Sequence, residues 1–386
     1  MSIRQCAMED PAFRRLYHAY INREEDALNW RASGGKVVAE LGCDVPDELI
    51  IAAGMFPLRV YAKPHGELVY TDKYLEFSFD PRIRRQFERL VDGSYSGLAD
   101  MLAISNSTDV IIRVYLYLRE IVRSGENLSV PPATFIDWLF TQNFTYQNRN
   151  EFVIKLFWKQ LEECAGRKIT GDEVESAAML CNRDRMALRK LAELRRGEVC
   201  RVNGSEALVI IGSAMFMNRS EHARLTESLC RRAAGWPAVE GRKIFMTGSE
   251  QEDLTLYGLV EDAGGVVVAE DHDWGDRYYE RDYNTACTPI RAIVDRYMLR
   301  SASSKKSFVS QRVEALNRSV DGSGAEAVLF YFNLYEEAAS WDYPSQRRSL
   351  GARGIPSAHF AKMRYPTEDN AGLGRELANF VESIRR

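Results

Sequence analysis

Twice along this chain, short apolar runs of strand character alternate with helix-length segments in the same order. That alternation admits few architectures besides parallel, doubly wound α/β sheets. In the first stretch Lys36-Val-Val-Ala-Glu-Leu41 reads as a strand, followed by a turn with Gly42 and Pro46. A helix from Glu48 to Ala53 stops at Gly54, Leu58-Arg-Val-Tyr61 resumes as a strand, and Asp100-Met-Leu-Ala-Ile104 is a third. The second stretch repeats the pattern. Gly241 to Met246 is strand-like, Leu254, Leu256, Tyr257, Leu259 and Val260 mark a helix, and Val266 to Ala269 is the next strand. Ala327 to Phe332 and a run near Ile355 complete it. The two halves share element order with weak residue identity, which reads as two related α/β domains.

Between the halves the period changes to that of helices. Phe152, Leu156, Phe157 and Leu161 mark one amphipathic helix, and Val174, Ala177, Ala178 and Cys181 a second. Gly166 separates them and Gly197 ends the run, as glycine does past a helix C-terminus. Phe13, Leu16, Tyr17 and Tyr20 give the N-terminus the same character. The expected division is an N-terminal helical segment over 1–32, a first α/β domain over 33–150, a helical segment over 151–235 and a second α/β domain over 236–386. A chain of 386 residues agrees with two or three domains at roughly 150 residues each.

Charge and cysteine usage narrow the function classes. The net charge of −4 lacks the basic excess of a nucleic-acid binder. The one dense basic stretch, Arg82, Arg84, Arg85 and Arg89, reads as a solvated helix face. Seven cysteines, at 6, 43, 164, 181, 200, 230 and 287, are scattered without a CxxC or zinc spacing. The polar Met1 to Asp10 is unlike a secretory leader, and the apolar run Ala207 to Met217 falls short of the ~18 residues that span a bilayer. A cytoplasmic protein with neither nucleic-acid nor membrane partners is expected.

In doubly wound sheets ligands bind beyond the carboxyl ends of the strands, so the loops there hold the candidate chemistry. Gly42-Cys-Asp-Val-Pro-Asp-Glu-Leu-Ile50 reads in two ways. Asp44 would cap the following helix with Pro46 in its first turn, or Glu48 and Cys43 would stand at a cleft rim. Ser105, Asn106, Ser107 and Thr108 would cap a helix or present donors to a carbonyl or phosphate. Glu270-Asp-His-Asp-Trp-Gly-Asp-Arg-Tyr-Tyr279 is the densest polar and aromatic cluster. His272 between two aspartates resembles part of a metal site, but no second His lies at ligand spacing, so no metal is expected. The loop is either a wet segment with an Asp–Arg pair or a substrate site contributing Asp273, Trp274, Gly275, Arg277 and Tyr278. Asn333-Leu-Tyr-Glu-Glu337 looks ordinary as a loop, with Tyr335 its candidate for substrate binding. Dinucleotide, Walker A and nucleophile-elbow motifs are missing.

The ordered set of these pieces resembles a known family, the subunits of 2-hydroxyacyl-CoA dehydratases and ATP-dependent benzoyl-CoA reductases. The likeness begins with Val45-Pro-Asp-Glu-Leu-Ile50 and Ala52-Ala-Gly-Met-Phe-Pro-Leu-Arg59. It continues through Leu161-Glu-Glu-Cys-Ala-Gly-Arg-Lys-Ile-Thr170 and Asn182 to Arg196. Thr247-Gly-Ser249, Glu261 to Val268, Gly275-Asp-Arg-Tyr-Tyr279 and Gly354-Ile-Pro356 follow. The resemblance covers roughly residues 30 to 385 and implies two flavodoxin-like domains with a helical portion. It also implies an acyl-CoA thioester as substrate, a homologous partner subunit and an ATP-dependent electron-activating protein. In such enzymes a [4Fe–4S] cluster held by three cysteines of strand-end loops passes single electrons to the thioester.

Here the chain departs from the family it resembles. The first cysteine would fall around Ser78-Phe-Asp80, the second at Thr108 and the third at Tyr335. None of these is a thiol, nor is any residue from Ser301 to Phe308. Of the remaining cysteines only Cys43 lies at a strand end. Hydroxyl oxygens are poor substitutes for soft thiolates. The expectation is a subunit that binds no cofactor itself, its partner carrying the [4Fe–4S] cluster. In that subunit Glu48 and the 271–279 loop would face the thioester pocket. A stand-alone hydratase or dehydratase would instead need Glu48, His272 or Asp273 as acid–base groups with pKa values near neutrality. A non-catalytic acyl-CoA-binding paralogue is the third alternative.

Overall fold

The structure, a computed structural model, describes residues 3–126, 128–303, 306–367 and 371–384. Part of the cysteine-free 301–308 stretch therefore lies outside the described residues. Two parallel four-stranded sheets form the frame. The first comprises β1 (Val37–Leu41), β2 (Phe56–Arg59), β3 (Met101–Ser105) and β4 (Ala133–Ile136) in the order β2-β1-β3-β4. The second comprises β5 (Arg242–Gly248), β6 (Gly265–Glu270), β7 (Ala327–Asn333) and β8 (Ser357–Met363) in the order β6-β5-β7-β8. The order is the same in both, and each reverses direction of winding beside its first strand, the arrangement of flavodoxin-like sheets.

β1, β3, β6 and β7 are buried along their full length, because helices cover both faces of a parallel sheet. The outer strands β4 and β8 expose part of their length. β4 has no counterpart among the sequence-read strands. It is four residues long, half exposed and preceded by Pro131-Pro132, so neither length nor a continuous apolar run announces it. β2 begins two residues before the sequence-read strand, with Phe56 paired to Val37 and Arg59 to Glu40.

The middle helices span Phe144–Ala165, Gly171–Arg196, Gly204–Ser213 and Arg219–Ala233. Gly166 closes the first in the left-handed region, at φ 72°. Thr170 and Glu173 form a reciprocal capping box at the start of the second. The Gly204–Ser213 helix is buried on every side, its apolar circumference serving as core. It packs against the Pro11–Ile21 helix and β6. The two halves also meet through Glu252, whose buried carboxylate accepts from the Ala62 N–H at 2.8 Å and from the Tyr365 hydroxyl at 2.7 Å.

The basic stretch at 82–89 is not a solvated face. It lies in the Pro81–Val91 helix, where Arg82 is buried against Glu250 at 2.8 Å. Arg89 is buried too, paired with Glu24 and stacked 4.0 Å from the Tyr61 ring centroid. A guanidinium tolerates burial when a carboxylate and an aromatic face receive it, and those partners lie far away in sequence.

Candidate functional site

The loops at the carboxyl ends of β1 and β6 meet beside the helical middle segment. After β1 the chain turns at Gly42, whose φ of +92° and 2.5 Å approach of its missing Cβ to Ser105 Oγ both require glycine. The turned backbone is fastened to β3: Cys43 N–H donates to Ser107 Oγ at 2.9 Å and Asp44 N–H to Ser105 Oγ at 3.1 Å. Asp44 does not cap the next helix. That helix, Asp47–Ala52, has Pro46 at its N-cap without a side-chain bond, and the buried Asp44 carboxylate pairs with Arg300 and Lys306.

Behind this loop lies a cavity of about 20 Å³, room for a water molecule. Charged side chains line most of it: Asp47, Arg59, Asp184, Arg185, Arg219, Asp273, Arg296 and Arg300, with Cys43, Cys181, Tyr278 and Tyr297 between them. They come from both sheets' loops and from the middle helices. Asp47 accepts from Arg219 at 2.6 Å, and Glu48 accepts from Arg185 and from the Tyr297 hydroxyl at 3.0 Å. The Arg185 side chain is itself steadied by Asn182, one turn earlier, at 2.8 Å.

The three expected acid–base groups sit in environments that move them away from neutrality. Burial disfavours the Glu48 anion, but Arg185 and Arg296 outweigh it and hold the carboxyl at about 2. Burial pushes His272 down to about 3, leaving a neutral ring whose Nε2 lies 3.2 Å from the Tyr257 hydroxyl. Asp273 is buried as well, yet Arg277 at 3.0 Å and Arg300 at 3.3 Å hold it well below the usual carboxylate range. Burial raises Glu250, the neighbour of Asp273, to about 8 against the pull of Arg82. The groups in this cluster poised near neutrality are thus Glu250, which the sequence did not single out, and Asp271, which burial raises to about 6. The Cys43 thiol also contacts Asp273, and burial first, then Asp273, pushes it up to about 12.

Cys43, Asp273 and Tyr278 meet at the cavity, with Glu48 and Arg277 one contact away. Ser105 and Ser107 hold the β1 loop from behind. The other expected site residues are turned elsewhere. Asn106 clamps the end of β4, donating to Asp137 at 2.7 Å and accepting from the Trp138 N–H at 3.0 Å. Thr108 caps the Asp109–Arg123 helix through the Ile111 N–H. Trp274 is core, its ring 5.7 Å from that of Phe216. Gly275 makes room for Glu270, which would lie 2.2 Å from an added Cβ. The 271–279 loop is largely buried rather than wet, though its Asp273–Arg277 pair is present. Arg219, Arg296 and Arg300 carried no sequence signal beyond their type, but Arg59 did, as the end of the family-like 52–59 stretch. Arg185 did, through its spacing from Asn182.

Over residues 43–384 the sequence matches the family described as 2-hydroxyglutaryl-CoA dehydratase, D-component. The chain belongs to this family. Among its relatives in the 2-hydroxyglutaryl-CoA dehydratase D-component family is the (R)-phenyllactyl-CoA dehydratase beta subunit of Clostridium sporogenes, 23% identical over 84% of this chain and 85% of that protein. The (R)-2-hydroxyglutaryl-CoA dehydratase subunit beta of Acidaminococcus fermentans is 23% identical over 92% of this chain and 94% of that protein. A benzoyl-CoA reductase subunit of Thauera aromatica is 24% identical over 93% of this chain and 94% of that protein.

A [4Fe–4S] cluster, which the resemblance places at three strand-end loops, does not suit the donors found there. The loops do converge. The Phe77 ring lies 6.0 Å from that of Tyr335, and the half-buried Glu336 feels the Asp80 charge. Arg113, in the helix that Thr108 caps, sits 3.9 Å over the Phe79 ring. The converging side chains are aromatic, hydroxyl and carboxyl groups rather than the thiolates a cluster requires. Cys43 and Cys181 share the separate cavity between the halves, and burial raises both thiols to about 12. Among the described residues, no three His, Cys, Asp or Glu side chains come together as a metal-holding group.

Proposed function

We propose that this chain is a subunit of a heteromeric dehydratase or reductase acting on a CoA thioester, and that it binds no iron–sulfur cluster itself. On this reading the [4Fe–4S] cluster resides in a homologous partner, which receives electrons from an ATP-dependent activating protein. One observation carries the reading: the loops at 77–80 and 335 converge, beside the helix that Thr108 caps, with aromatic, hydroxyl and carboxyl groups where the resemblance calls for thiolates. The family relationship supports the thioester substrate class. The charged cavity behind Cys43 supports a binding and positioning part for this chain, with Glu48 and Asp273 as fixed anions and His272 as a neutral packing group.

The test is anaerobic purification of the chain alone and after co-expression with a cysteine-bearing homologue from the same source. Little iron or sulfide on the isolated chain, together with a stable complex that turns over a CoA thioester, is the expected result. A stoichiometric cluster on the isolated chain would overturn the reading. So would full activity of the chain without a partner, which would point to the stand-alone hydratase or dehydratase.

A further inference from the structure

The cavity between the two halves contains buried cations whose hydrogen bonds and charge are incomplete. Arg59 and Arg296 line it with 7% and 6% of their surface exposed. Neither guanidinium donates a hydrogen bond to any described residue, and Arg59 Nε, Arg296 Nε and Arg296 Nη1 are buried without an acceptor. Each has a single carboxylate in ion-pair range, Glu40 at 3.7 Å from Arg59 and Glu48 at 3.3 Å from Arg296. Buried donors are ordinarily satisfied, and an exception marks a missing water or ion.

Charge counting favours an ion over a water. Of the five arginines lining it, Arg300 is paired within a neighbouring set, which leaves four guanidiniums: Arg59, Arg185, Arg219 and Arg296. Glu48 is shared by Arg185 and Arg296, and Asp184 by Arg219 and the His222 ring. Asp47 pairs with Arg219, and burial together with the Asp47 charge pushes the Glu40 carboxyl well above its ordinary value. A buried carboxyl raised in this way stays neutral. Four positive charges therefore face three negative ones. The neighbouring set is balanced, with Arg277, Arg300 and Lys306 against Asp44, Asp273 and Glu280. A lone water supplies two lone pairs and no charge, whereas a carboxylate supplies about four acceptor sites and the missing charge.

We propose that this cavity binds one small carboxylate-class anion, held by Arg59 and Arg296. The anion is either a free small acid or the carboxylate end of a larger ligand's acyl chain. The site itself does not rest on the CoA-thioester reading; only the second source does.

The direct probe is sodium formate, titrated calorimetrically into the full chain at constant ionic strength. Saturable binding of one formate per chain is expected, weakened about tenfold or more in Arg296→Met and Arg59→Met. Glu40→Gln keeps both guanidiniums and replaces the raised carboxyl with a neutral side chain, so it should bind formate at least as tightly as the parent. That variant and the parent titration serve if the arginine variants do not fold. A second arm compares glutaryl-CoA with pentanoyl-CoA. Tighter binding of glutaryl-CoA in competition with formate assigns the acyl-chain source, and formate binding without thioester discrimination assigns the free acid. The proposal is overturned if the parent shows no saturable formate binding, or if well-folded arginine variants bind formate like the parent.

Discussion

Arg300 donates at 2.9 Å to the Asp44 carboxylate and at 2.8 Å to the Cys43 carbonyl, joining two loops 256 residues apart in sequence. The same guanidinium reaches Asp273 at 3.3 Å and Glu280 at 3.0 Å, and both Arg300 and Asp44 are buried. One side chain thus fixes the β1 loop against the loop that follows β6.

Removing Arg300 strands several anions in a dry setting. Arg300→Met should cost about 3–5 kcal/mol of stability, the usual penalty for breaking a buried pair from one side. Urea unfolding would measure it. A loss within the error of the parent would show that Lys306 and Arg277 alone satisfy Asp44 and Asp273.

Glu48 links stability to acid. Its carboxyl is held at about 2 in the folded chain against an ordinary 4.5. A lowered folded-state pKa contributes stability that is complete above pH 4.5 and is lost as pH falls toward 2, roughly 3 kcal/mol in all. Glu48→Gln should therefore be less stable than the parent by an amount that stays flat from pH 5 to 8 and shrinks only below that range. A gap that changes between pH 6 and 8 would contradict this account.

His272 acts in a higher window. Burial moves it from 6.5 to about 3, so the folded chain holds a neutral ring while the unfolded chain takes up a proton below pH 6.5. Stability present above pH 6.5 is then lost on acidification, at up to about 1.4 kcal/mol per pH unit. In His272→Asn the slope between pH 6.5 and 5 should be shallower than in the parent. Denaturant midpoints at several pH values would read it, and equal slopes would refute the assignment.

Gly275→Ala tests the packing of the 271–279 loop. The new Cβ would lie 2.2 Å from Glu270 Cγ, and Glu270 cannot yield because Arg195 grips both its oxygens, at 3.1 and 2.6 Å. Both partners are fully buried. We expect a loss of about 3 kcal/mol or more, since overpacking is added to a disturbed buried ion pair. A thermal midpoint unchanged from the parent would show that the loop can shift.

The acids of the β1 loop show where sequence reading stops. Asp44, Asp47 and Glu48 before a helix match the pattern of a cap and a favourable dipole, and a solvated helix start would look identical in sequence. Their partners Arg300, Arg219 and Arg185 come from three other elements. The basic stretch at 82–89 misled for the same reason, because Glu250 and Glu24 lie outside any local window. β4, short and half exposed, had no period to detect.

By itself the sequence determined the alternation of strands and helices, the helical middle segment and the family relationship. These are written in local periodicity and in ordered short motifs. Only the tertiary structure decided which charges are buried, which of them meet at the cavity behind Cys43, and that the loops at 77–80 and 335 converge beside the helix that Thr108 caps. Periodicity is a property of neighbours along the chain. The ionisation and pairing of a buried charge depend on groups brought near by folding, often more than a hundred residues away.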